Sequence, residues 1–142
     1  VSDKLIIQID VTDEFFRNLR RLSKKYRRVE ADVDELYVQL EAGERPGERL
    51  QGLDPYVIYK VRVASRDMQR GKSGGFRIIY YIETEEILLL VTIYSKTEYA
   101  DIDEETIRAI IKKHQQRKAE ENTDESSSAT RTDDDSSTQY ML

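Results

Sequence analysis

The residues best suited to chemistry lie between positions 60 and 77, in the run KVRVASRDMQRGKSGGFR. It supplies Lys60, Arg62, Arg66, Arg70, Lys72 and Arg77, opposed only by Asp67. Arginine presents a planar fork of donors that matches phosphate oxygens, and lysine adds a point charge or, where its surroundings allow, a proton. Gly71, Gly74 and Gly75 permit close approach of backbone N–H groups to an anion. The run therefore reads as a phosphate site or, on composition alone with equal weight, as a solvated hairpin with a basic tip. A second cationic group, Arg17, Arg20, Arg21, Lys24, Lys25, Arg27 and Arg28, contains no acid. It suits steering toward a polyanion, although the exposed face of an amphipathic helix is the reading favoured without other information. A third group, Lys96, Glu98 and Tyr99 in IYSKTEY, follows an apolar run, where polar residues serve either a site or a simple turn.

The elements that must hold these groups follow from periodicity. Residues 4 to 11 read as a strand, and Thr12 as the N-cap of a helix whose first turn carries Asp13 and Glu14. Phe15, Leu19, Leu22 and Tyr26 make one buried stripe, and Val29, Val33, Leu36 and Leu40 make another ending near Gly43. The pair forms an αα-hairpin. Residues 43 to 55 hold both prolines and three glycines and read as a loop. From Val57 to Val63 the period changes to two, placing Lys60 and Arg62 on one face and Tyr59, Val61 and Val63 on the other. FRIIYYIE (76 to 83) and EILLLVTIYS (86 to 95) form a hairpin, and Ile107, Ile110 and Ile111 define a last helix from about 103 to 117, capped by Asp101 or Asp103. The order β-α-α-β-β-β-α predicts an α+β fold with an antiparallel-rich sheet packed against helices.

Charge divides the chain as sharply as periodicity does. Of the net −5, residues 1 to 118 carry 22 Lys+Arg against 21 Asp+Glu, whereas residues 119 to 142 carry 1 against 7 along with five Ser and four Thr. A domain at 1–118 with a disordered acidic tail at 119–142 is expected, because the latter has too little apolar surface to offset its ordering entropy. The absence of cysteine removes disulfides and thiolate metal sites, and a lone His114 leaves no histidine cluster for zinc. No cofactor and no metal are expected. The longest apolar run, Ile87 to Tyr94, is too short to span a bilayer, and the first residues do not resemble a signal peptide, so the expectation is a soluble cytoplasmic protein with no membrane partner.

The ordered segments FFRNLRRLSKKY, YKVRVAS, GKSGGFRIIYY, LLLVTIYSKTEYADI and IRAII resemble the RelE/ParE toxin superfamily of type II toxin-antitoxin systems, in its RelE/HigB-like branch, over roughly residues 5 to 112. The resemblance implies a RelE-like fold and a toxin that enters the ribosome and cleaves mRNA by metal-independent attack of a 2′-hydroxyl on its phosphate. It puts Lys60 and Arg62 on the paired basic strand positions, Arg77 on the arginine of a G-(F/Y)-R motif and Lys96 on the lysine after the last strand. Arg77 and Arg62 are then expected to hold the phosphate, Lys60 or Lys96 to move protons, and Tyr99 to stack on a base. Arg66, Arg70, Lys72, Arg20, Arg21, Lys24 and Lys25 are the expected RNA-binding cations. Two positions depart from the family pattern: Thr97 stands where a second arginine is common, and Asp103 where a tyrosine is common. The partners implied are a cognate antitoxin, the ribosome and mRNA, with operator DNA bound only through the antitoxin complex. The alternatives are a ParE-like gyrase inhibitor and a degenerate toxin that retains only antitoxin binding.

Overall fold

The computed structural model describes residues 6–68, 74–99 and 101–135, with residues 123–135 described by backbone alone. Among them are three helices and one five-stranded sheet, so the chain is α+β. It divides into two compact units, Val1–Ile110 and Ile111–Leu142.

The first unit begins with β1 (Gln8–Val11), then α1 (Asp13–Lys25) and α2 (Val29–Glu41). Thr12 caps α1 as its side chain predicts: its hydroxyl oxygen accepts the Phe15 N–H at 2.9 Å and its O–H donates to the Val91 carbonyl at 2.7 Å. One threonine thus starts the helix and fastens it to the sheet. Next come β2 (Glu48–Arg49), β3 (Ile58–Val63), β4 (Phe76–Thr84) and β5 (Ile87–Ser95). The strand order is β1-β5-β4-β3-β2, with β1 parallel to β5 and the other pairs antiparallel.

The stripes read from the sequence form the core. Phe15, Leu22, Val29, Val33, Leu36 and Leu40 pack with Val61, Val63, Phe76, Ile78, Tyr80, Leu88, Leu90 and Ile93. Truncating Phe15, 2% exposed, to alanine is worth about 3–5 kcal/mol. The opposite face of the sheet carries Ile58, Ile79 and Leu89, all buried, and continues along β3 and β4 into Lys60, Arg62 and Arg77.

Two features depart from expectation. The stretch 43–55 is not all loop, because β2 pairs with β3 there. The last helix, α3 (Glu104–Asp135), continues well past residue 117 into the stretch expected to be disordered. Apolar periodicity ends there, yet no glycine or proline follows Gly75, so the two strongest helix breakers are missing from this stretch. Residues 136–142 of the expected tail lie outside the described residues. No helix among the described residues is long and apolar enough to cross a membrane.

Candidate functional site

Period-two alternation puts Lys60 and Arg62 on the same face of β3, and the ladder sets Arg77 of β4 directly opposite Arg62 and Tyr94 of β5 opposite Arg77. β2 joins from the other side, with Glu48 opposite Lys60. The result is an open cleft of about 580 Å³ lined by Gly47, Glu48, Lys60, Arg62, Arg77 and Lys96. Four residues singled out from sequence, Lys60, Arg62, Arg77 and Lys96, therefore line one concave surface.

Two glycines make the walls close. Gly47 has φ +98°, and a Cβ there would lie 2.3 Å from the Lys60 carbonyl oxygen, so only glycine lets β2 approach β3 this tightly. Gly75, φ +91°, sits against the Val63 carbonyl in the same way and delivers Arg77 two residues later.

Arg77 is the unusual member. It is 7% exposed, its Nη1 donates to the Gly74 carbonyl at 3.3 Å, and no carboxylate among the described residues pairs with it. Burial, and after it the charge of Arg62, push its pKa below the ordinary arginine value, with Tyr94 opposing. A buried cation held beside a second cation is costly unless an anion joins it. Arg77 is thus a buried cation set beside a second one, in a cleft that also holds the carboxylate of Glu48.

Lys60 is mostly buried, and its Nζ lies 3.5 Å from Asp101 Oδ1. The same oxygen accepts the Tyr94 hydroxyl at 3.3 Å and the Ile102 N–H at 3.0 Å. Burial first, then Asp101, pushes the Tyr94 phenol up to about 12. Tyr94 is therefore a neutral donor that orients Asp101 beside Lys60.

The remaining expected residues are distributed otherwise. Tyr99 does not line the cleft; it is half exposed and meets Tyr94 edge to face at 6.0 Å. Arg66 is turned away from the cleft by Asp32, whose carboxylate accepts its Nη1 at 2.6 Å and its backbone N–H at 3.2 Å, and by Glu35. It therefore anchors the β3–β4 connection to α2. Arg70 and Lys72 lie outside the described residues. On α1, Arg21 is bound to Glu98, Arg20 lies 5.8 Å from the Phe16 ring centroid, Lys25 lies over Tyr26, and Lys24 is exposed. Asp103 caps α3 by accepting the Thr106 N–H at 2.8 Å, and the bonds from Thr106 hold its carboxyl below the usual range.

Sequence reasoning missed Glu48, the one carboxylate among the described residues that line the cleft. The available signal was the alternation Glu48, Arg49, Leu50 between Gly47 and Gly52, too short to show a period. Among the described residues no group of three or more His, Cys, Asp or Glu is placed to hold a metal ion. No family model matches the chain.

Proposed function

We propose that the chain is a RelE/HigB-type toxin with a RelE-like fold, an endoribonuclease that inhibits translation by cleaving mRNA on the ribosome. The observation that carries the reading is the buried guanidinium of Arg77, which no carboxylate among the described residues pairs with, in a cleft shared with Arg62, Lys60, Lys96 and Glu48. Cleavage by a neighbouring 2′-hydroxyl needs a base, an acid, and donors for the charge that develops on the phosphate. Arg77 and Arg62 hold the non-bridging oxygens. Glu48, the carboxylate opposite Lys60 on the β2–β3 ladder, accepts the 2′-hydroxyl proton. Lys96 gives a proton to the departing 5′-oxygen, and Lys60 stabilises the charge between them. The P–O5′ bond breaks as the O2′–P bond forms, leaving a 2′,3′-cyclic phosphate and a 5′-hydroxyl.

In this reading Tyr99, outside the cleft, offers an exposed ring for a neighbouring base. A cognate antitoxin neutralises the cleft, operator DNA is bound only by that complex, and the protein works in the cytoplasm. The test is single-turnover cleavage of mRNA on programmed ribosomes. Glu48→Gln and Lys96→Ala are each expected to slow it by about 10²–10⁴-fold while leaving ribosome binding intact. Full-rate cleavage by both variants would reject these roles, and inhibition of DNA supercoiling without mRNA cleavage would reject the ribonuclease.

A further inference from the structure

We infer that Arg21 and Glu98 form a positioning pair that fixes the turn carrying Lys96, so that a residue on α1 sets the aim of a group in the cleft; the catalytic half of this inference rests on the ribonuclease reading above. Lys96 is the first residue after β5. The turn that follows is closed by the Glu98 and Tyr99 N–H groups, which donate to the Ser95 carbonyl at 3.0 and 3.3 Å, and by a 2.9 Å contact between the Ser95 and Thr97 hydroxyls. Glu98 then folds back over it. One carboxylate oxygen accepts the Ser95 N–H at 3.1 Å, and the other accepts the Arg21 guanidinium. Burial opposes the charge on Glu98, yet Arg21 and the Ser95 N–H hold its pKa below the usual carboxylate range.

Arg21 is a firm reference point because α1 is tied to β5 elsewhere. Thr12 donates to the Val91 carbonyl, and Asn18 Nδ2 donates to Thr92 Oγ1 at 3.1 Å. Asn18 Oδ1 also accepts Arg21 Nη2, at 3.4 Å. With Arg21 in place both carboxylate oxygens of Glu98 are engaged, one by Arg21 and one by the Ser95 N–H. Without it, the carboxylate keeps a single backbone bond and can rotate toward water. A partly exposed ion pair contributes little to global stability, so its effect falls on the local order of residues 95–99. Misplacing a catalytic group by about 1 Å costs on the order of 10²-fold in rate.

The experiment uses the full chain with Arg21→Gln, Glu98→Gln, the double variant and Arg21→Lys. Amide hydrogen exchange at Ser95, Glu98 and Tyr99 reads the turn independently of activity. Single-turnover cleavage and RNA affinity are measured alongside. Both single variants are expected to exchange faster at those amides and to cleave about 10–100-fold more slowly at unchanged RNA affinity. The double variant should be no worse than either single one, and Arg21→Lys should recover most of the rate. Unchanged exchange in both single variants would overturn the inference. So would a loss of RNA affinity in Arg21→Gln matched by a gain in Glu98→Gln, since that pattern makes Arg21 an RNA contact. A parent chain that cleaves no RNA removes the ribonuclease reading, while the exchange data still decide whether the pair orders the turn.

Discussion

Replacing Arg77 by methionine removes a charge while keeping a long, flexible side chain in place. In the fold this guanidinium is 7% exposed and pairs with no carboxylate among the described residues, while Arg62 stands across the ladder from it. Its folded-state pKa is lowered, so folding disfavours the proton. For a cation that sign means the cost is fully present at all pH values below the folded pKa and is relieved only in strong alkali. No window near neutrality exposes it, and the comparison must be made by substitution. Exchanging buried ionic groups for apolar ones of similar volume is neutral to stabilising, here taken as about 1–2 kcal/mol at most. At roughly 4 °C per kcal/mol for a chain of this size, Tm should hold or rise by up to about 8 °C. The parent should instead gain from a bound anion: a nucleoside 3′-monophosphate at ten times its Kd adds about 1.4 kcal/mol, or about 6 °C. The assay is thermal unfolding at constant ionic strength with and without the nucleotide at millimolar concentration. Arg77→Met should lose the nucleotide shift while keeping or exceeding the parent Tm. A fall in Tm of several degrees, or an equal nucleotide shift in both proteins, would refute the idea that Arg77 is kept at a cost in order to bind phosphate.

Gly47→Ala should cost about 1–3 kcal/mol in urea unfolding, since alanine is strained at φ +98° and its Cβ meets the Lys60 carbonyl. Because β2 must move, taking Glu48 with it, cleavage should fall further than stability does. Asp32→Ala removes a buried acceptor of two Arg66 bonds and should cost about 1–3 kcal/mol by the same measurement, leaving phosphate affinity in the cleft unchanged. In alkaline ultraviolet titration Tyr80 and Tyr94 should be the last of the nine tyrosines to ionise, because burial raises both and Asp101 raises Tyr94 further, to about 12. The fold prefers the protonated phenols, so the stability they contribute is complete below about pH 10 and is lost as pH rises through their folded values. Tyr94→Phe should remove one late phenol from the curve.

Much of the site could be read from local pattern. Alternation in β3 fixes Lys60 and Arg62 on one face, since side-chain direction in a strand repeats every two residues, whereas the register that sets Arg77 level with Tyr94 shows only in the paired strands. What local pattern cannot carry is pairing over distance. Arg66 meets Asp32 34 positions away and Arg21 meets Glu98 77 away, so cations that look available in sequence are already engaged in the fold. Glu48 escaped because a two-residue strand has no period, and its place depends on a glycine whose necessity shows only once Lys60 is packed against it. The end of α3 differs for another reason: loss of the apolar stripe marks where burial stops, and the backbone of the helix runs on beyond that point to Asp135.

The central claim, that the cleft cuts RNA by attack of the neighbouring 2′-hydroxyl, is tested most directly with a ribosome-bound mRNA carrying 2′-deoxy at the scissile nucleotide. With the ribose present, the parent chain should yield a 2′,3′-cyclic phosphate and a 5′-hydroxyl end; with the 2′-deoxy substitution, or with Arg77→Ala, it should yield no cut at that position. Cleavage of the 2′-deoxy substrate at the same rate, or an intact message alongside full growth inhibition, would contradict it.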